Sequence, residues 1–159
     1  IKDLSNHGMT NRDRVKNFGY VSRMDNLQAA ILNFKLSHLN EIILKRRNNF
    51  EIYKKTLTGN IFFPLEKVNE FNTYHTFVIQ VDNRDKLKKY LLQNKVTTSI
   101  HYPIPIHLQP AAKKLGYKKG DFPITENQSK KIITLPIHQD LKKNDIIRIC
   151  KLVNKFVGN

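Results

Sequence analysis

Apolar residues recur at Leu27, Ile31 and Phe34, and again at Leu36, Leu39, Ile43, Phe50, Tyr53 and Leu57. This 3–4 spacing predicts one long amphipathic helix over residues 25–58. Asp25 stands at its start with Gln28 three residues on, the arrangement of a capping box, and Thr58-Gly59-Asn60 supplies a glycine stop. The second apolar set is interrupted at Arg46 and offset from the first, so the two ends are expected to bury different faces. Beyond the helix the period changes. Residues 74–81 are β-branched and aromatic and predict a strand. Asn83 is placed to cap a short helix carrying Leu87, Tyr90, Leu91 and Leu92, and residues 96–100 predict a second strand that closes a β-α-β unit. Pro110 and Gly116 bracket two helical turns. Residues 132–135 predict a short strand before Pro136. Ile146, Ile147, Cys150, Val153 and Val157 mark a closing amphipathic helix. Residues 1–24 read as loop, because turn formers alternate there with isolated aromatics.

Composition narrows the class. The 159 residues are 40% hydrophobic and 26% charged, which suits one hydrophobic core plus an appendage and argues against disorder. No apolar run reaches the length of a membrane span, so no membrane partner is expected. The lone Cys150 gives no disulfide framework and predicts a small buried hydrophobe in a reducing, cytoplasmic setting. Twenty-eight Lys+Arg face 13 Asp+Glu, for a net charge of +15. The lysines are scattered over several predicted helices and accompany abundant Asn and Ile, which argues against nucleic acid as a partner. The charge can instead draw in an anionic small substrate.

Candidate chemistry concentrates after the second predicted strand. Residues 100–110 run Ile100-His101-Tyr102-Pro103-Ile104-Pro105-Ile106-His107-Leu108-Gln109-Pro110. Proline fixes φ and withholds a donor, so this segment is a braced loop presenting His101, Tyr102 and His107. A histidine–tyrosine pair can hydrogen-bond sugar hydroxyls, carbonyls or phosphates. The same residues can also satisfy loop carbonyls and pack on proline. Arg23, just before the Asp25 cap, suits capture of phosphate or carboxylate, and a solvated surface arginine is its plain alternative. No carboxylate or cysteine stands at a zinc spacing near the histidines, so no metal is expected. A glycine-rich phosphate loop, a nucleophile elbow and a catalytic carboxylate pair are all lacking.

The order of segments is distinctive: Asn6-His7-Gly8, then Gly19-Tyr20-Val21-Ser22-Arg23-Met24 followed by Leu27-Gln28-Ala29-Ala30, then Ile100-His101-Tyr102-Pro103, Gln109-Pro110-Ala111, Leu115-Gly116-Tyr117, Gly120-Asp121-Phe122-Pro123 and Leu135-Pro136. Over essentially its whole length the chain resembles the carboxyl-terminal portion of the DegT/DnrJ/StrS family of pyridoxal-phosphate-dependent sugar aminotransferases. The resemblance implies an α/β chain forming the carboxyl-terminal part of the aspartate-aminotransferase (PLP type I) fold. It implies residues 1–24 as the tail of the large cofactor-binding domain, 25–58 as a linking helix and 59–159 as the small domain. It further implies a homodimer with shared active sites, pyridoxal 5′-phosphate as cofactor, and amino transfer, usually from glutamate, to a keto group of a nucleotide-linked hexose. The residue matching Arg23 is then expected to reach the partner's site, while those matching His101 and Tyr102 line the sugar-nucleotide pocket. Val21 departs from the family pattern, which has an asparagine that contacts the cofactor phosphate. The Schiff-base lysine is expected upstream of this sequence, and Lys2 stands too close to His7 to be its counterpart. The chain by itself is therefore expected to be inactive. A non-catalytic sugar- or nucleic-acid-binding module on the same scaffold is the competing expectation.

Overall fold

A computed structural model describes residues 3–158; Lys2 lies outside the described residues. The chain divides into two compact units, Ile1–Asn40 and Glu41–Asn159.

In the first unit, residues read from sequence as loop form a small hairpin, with β1 (Met9–Asn11) antiparallel to β2 (Arg14–Val15). Helix α1 (Asn26–Ser37) follows, and the side chain of Gln28 accepts the Asp25 backbone N–H at 3.4 Å, as the capping-box spacing predicts. The single long helix is a misreading. It ends at Ser37, and α2 (Leu39–Thr56) starts afresh after His38. The Ser37 hydroxyl donates to the Phe34 carbonyl at 2.7 Å, and a serine that satisfies its own helix's carbonyl competes with continued backbone pairing. The apolar offset at Leu36 thus marks a break in the helix. Leu27, Ile31, Phe34 and Leu36 on α1 are all exposed.

The second unit is built on most of α2 together with β3 (Phe77–Gln80), α3 (Arg84–Gln93), α4 (Pro123–Lys131), β4 (Ile132–Leu135) and α5 (Lys143–Val157). Strands β3 and β4 pair antiparallel, with Phe77 opposite Leu135 and Gln80 opposite Ile132. Residue Ser99 bridges the far side of β4 at Thr134, and Phe62 bridges β3 at Gln80. The expected β-α-β unit is therefore corrected. Residues 96–100 contribute one antiparallel bridge to β4, and they do not form a strand beside β3. Thr97 and Thr98 favour extended backbone, so what the composition misses is the long-range choice of β4 as partner. Asn83 precedes α3 in a left-handed conformation, φ 56°, without a side-chain cap bond.

Alternation along β3 and β4 sends Phe77, Ile79, Ile133 and Leu135 into one core with Leu87 and Leu91 of α3 and Ile146, Ile149, Cys150 and Val153 of α5. From α2, Phe50 stacks on Tyr74 at 4.0 Å between ring centroids and meets Phe77 edge-on at 5.6 Å. Two of the polar groups that this packing buries are paired with backbone carbonyls. Tyr53 donates its hydroxyl to the Pro136 carbonyl at 2.7 Å, and Asn49 donates to the His138 carbonyl at 2.9 Å. Asn154 of α5 bonds both ends of a turn after α2, through Thr56 and Thr58.

Cys150 is fully buried in that core, and desolvation pushes its thiol pKa up to about 12. Thiolate is the reacting form, so iodoacetamide at pH 8 is expected to label the native protein about 100-fold more slowly than the urea-unfolded chain. Equal rates would contradict the packing.

Candidate functional site

Two backbone segments cross in the first unit. His7 N–H donates to the Tyr20 carbonyl at 3.0 Å, Tyr20 N–H to Leu4 at 2.7 Å and Ser22 N–H to Ser5 at 3.0 Å, with Asn6 bridging Val21. Two glycines allow the approach. A Cβ on Gly19 would lie 2.3 Å from the Gly8 nitrogen, and one on Gly8 (φ 75°) would lie 1.7 Å from the Asn17 oxygen. The Asn6-His7-Gly8 and Gly19-Tyr20-Val21 motifs are therefore the two halves of one crossing.

This crossing carries a cleft of about 930 Å³ lined by Asp3, Asn6, Thr10, Arg12, Ser22 and Arg23 among others. The Arg23 guanidinium donates to Asn6 Oδ1, a neutral acceptor that orients it, and the Asp3 carboxylate lines the same cleft. Among the described residues neither Arg12 nor Arg23 is ion-paired. Two guanidiniums in one cleft suit an anionic group such as phosphate or carboxylate. Arg12 was not singled out from sequence, where it sits inside a polar turn with no periodic signal. Val21 is 69% exposed and presents only methyl groups, so its side chain gives no donor to a cofactor phosphate.

In the second unit the proline loop departs from Ser99 at the edge of β4. The His101 ring turns back so that Nδ1 lies 2.8 Å from Thr134 Oγ1, while Tyr102, 73% exposed, stands free of the core. Tyr102 lines a groove of about 500 Å³ with Ile104, Pro105, Gln109, Thr125 and Gln128. Gln109 donates to the Ile104 carbonyl at 3.3 Å, and Leu108 N–H to Pro105 at 2.9 Å, so the loop is braced internally.

His107 has a different place from the one expected of a substrate contact. Its side chain is buried, 5% exposed, with Nε2 3.1 Å from Glu126 Oε1 and its ring 4.7 Å from Phe122. The same Glu126 oxygen accepts Gly120 N–H at 2.7 Å. His107 and Glu126 thus clasp the loop and the 116–123 turn onto α4. Residue type and proline bracing present His107 as a displayed imidazole, whereas the carboxylate that buries it stands 19 positions on. Glu126 and Thr134 were both missed. Thr134, a lone hydroxyl in the apolar run Ile132–Leu135, was the legible clue.

The Gly120 N–H above all, and then the His107 hydrogen bond, holds the Glu126 carboxyl below the usual glutamate range. A depressed pKa stabilises the fold fully above the unfolded value, about 4.3, and that contribution disappears as pH falls through the folded one. Wild-type Tm is therefore expected to fall more steeply than that of Glu126→Gln between about pH 5 and pH 3. Parallel Tm profiles would contradict the clasp.

Comparison with known proteins assigns the chain. The DegT/DnrJ/EryC1/StrS aminotransferase family profile matches residues 1–154. The chain belongs to this family. A dTDP-3-amino-3,6-dideoxy-alpha-D-galactopyranose transaminase of Aneurinibacillus thermoaerophilus is 33% identical over 139 residues, 87% of this chain and 38% of that protein. A protein named pleiotropic regulatory protein, of Geobacillus stearothermophilus, is 33% identical over 142 residues, with 87% and 38% covered. The crystal structure of S. venezuelae DesV superposes with a TM-score of 0.90 at 27% identity, covering 99% of this chain and 43% of DesV. The chain thus spans about two fifths of the length of these family members and carries the carboxyl-terminal part of the aspartate-aminotransferase fold. No helix among the described residues is long and apolar enough to cross a membrane.

Proposed function

We propose that this chain is the carboxyl-terminal portion of a pyridoxal-phosphate-dependent aminotransferase that moves an amino group, from glutamate, onto a keto sugar nucleotide. The product would serve cell-surface polysaccharide or unusual-sugar biosynthesis in the cytoplasm. The observation that carries this reading is the family match along residues 1–154, which contains both the Arg23 cleft and the His101 loop. The name of the Aneurinibacillus relative points the same way.

In this reading residues 1–24 end the large domain, residues 25–58 link the domains through two helices, and residues 59–159 form the small domain. The enzyme is a homodimer in which Arg23 serves the partner's site. Val21 gives the cofactor no donor, and we assign no described residue to the cofactor ring; the rest of the protein, including the Schiff-base lysine, would hold it. Pyridoxal phosphate, when bound, supplies the electron sink that amino transfer requires. This chain's own residues orient the substrate. Arg23 pairs with a phosphate or carboxylate of the substrate, and Tyr102 and His101 hydrogen-bond sugar or phosphate oxygens. The +15 charge draws the anionic substrate in, an effect that weakens with salt.

Reconstitution tests the reading. The full-length protein with pyridoxal phosphate is expected to show cofactor absorbance and to aminate at least one member of a panel of keto-sugar nucleotides, with glutamate as donor. A full-length protein that takes up no cofactor would favour the second reading, a non-catalytic sugar- or nucleic-acid-binding module. The name of the Geobacillus relative keeps that second reading in view.

A further inference from the structure

Thr134 is tied to the His101 loop three times. Its backbone N–H donates to the Ser99 carbonyl at 2.8 Å, its carbonyl accepts Ser99 N–H at 3.2 Å, and its hydroxyl lies 2.8 Å from His101 Nδ1. Thr134 is only 7% exposed, and a hydroxyl on so buried a residue is normally hydrogen-bonded within the protein. Both backbone groups are already used by Ser99. Among the described residues, His101 Nδ1 is the acceptor the hydroxyl has.

We propose that Thr134 is a positioning residue that fixes the tautomer of His101, donating its hydroxyl proton to Nδ1 so that the ring proton resides on Nε2. If instead Nδ1–H donated to Oγ1, the hydroxyl proton would have no acceptor among the described residues. The hydroxyl therefore selects the ring form with a lone pair on Nδ1. The exposed side of His101 then carries an N–H donor. This deepens the proposed function and rests on it for the identity of the ligand. A donor at that point takes a carbonyl, hydroxyl or phosphate oxygen of the keto-sugar nucleotide, and in this neutral form Nε2 does not serve as a base. It also separates the two histidines of the loop, since His107 is spent on Glu126 while His101 keeps one nitrogen for a ligand.

Nitrogen-15 NMR reads the tautomer without substrate, so its outcome is independent of whether the aminotransferase reading holds. Full-length protein labelled with ¹⁵N-histidine is recorded at about pH 8.5, where an ordinary imidazole is neutral. His101 is assigned by the signals lost in His101→Gln. The expected spectrum has a directly bonded proton on His101 Nε2 and a hydrogen-bonded, unprotonated Nδ1. In Thr134→Val the Nδ1 resonance moves toward the position of a free lone pair, and Thr134→Ser returns it. A proton on Nδ1 in the wild-type protein would overturn the proposal from one spectrum, whatever the variants do. An Nδ1 resonance unchanged in a folded Thr134→Val would overturn it as well. If the tautomer is as proposed but His101→Gln leaves KM untouched, the tautomer stands and the substrate role of His101 falls.

Discussion

On the proposed function, His101→Ala in the full-length protein is expected to lower kcat/KM by roughly 10- to 150-fold, carried mainly by KM. The figure follows from losing a hydrogen bond to a charged or strongly polar group, about 1.5–3 kcal/mol. Orientation of the substrate, rather than the bond-making step, is what the proposed role supplies, so binding and turnover are both touched but KM leads. The change also removes the His101 Nδ1 partner of the Thr134 hydroxyl. Steady-state kinetics with the keto-sugar nucleotide, alongside circular dichroism to confirm folding, checks the prediction. Unchanged constants in a folded variant would remove His101 from the site.

Phe50→Ala is expected to cost about 3–5 kcal/mol of unfolding free energy, the range for emptying a buried aromatic site. Phe50 is 2% exposed, and its ring meets Tyr74, Phe77 and Phe63 at centroid distances of 4.0, 5.6 and 6.1 Å. Aromatic pairs add to the area term, so the cavity loses both packing and ring–ring contact. The neighbours cannot close in easily. Tyr74 is held through its backbone by Asn72 Oδ1 at 2.8 Å, and β3 is fixed by its ladder to β4. Urea unfolding of the second unit measures the effect, and a loss below about 1 kcal/mol would mean that the site collapses freely.

Much of the second unit was legible in the sequence because its elements follow simple periods. The helix at residues 143–157 keeps one apolar face, and β3 and β4 alternate or run apolar between turn formers. What failed did so for local reasons. The apolar offset at Leu36 registered the break at His38, but a change of buried face reads equally well as one helix packing on two bodies. The pairing of Ser99 with β4 rather than β3 is a long-range choice, invisible to the composition of residues 96–100. The site divided in the same way. His101 and Tyr102 were read from proline bracing and residue type, and they stand where a ligand can reach Tyr102. The clasp of His107 by Glu126 needed the fold, since a carboxylate 19 residues away announces nothing in sequence. The two glycines of the first unit were read as turn formers, but their contacts show that each is required for the backbone crossing beside Arg23.

The claim that this chain contributes half of a shared aminotransferase site is tested most directly by mixing subunits. Full-length Arg23→Ala is combined with a full-length variant lacking the Schiff-base lysine, each expected to be much less active alone than the wild type. If Arg23 serves the partner's site, one class of mixed dimer joins an intact lysine to an intact arginine, and activity returns toward a quarter of wild type at equal mixing. Mixed dimers that form but stay as inactive as the parents would contradict the account.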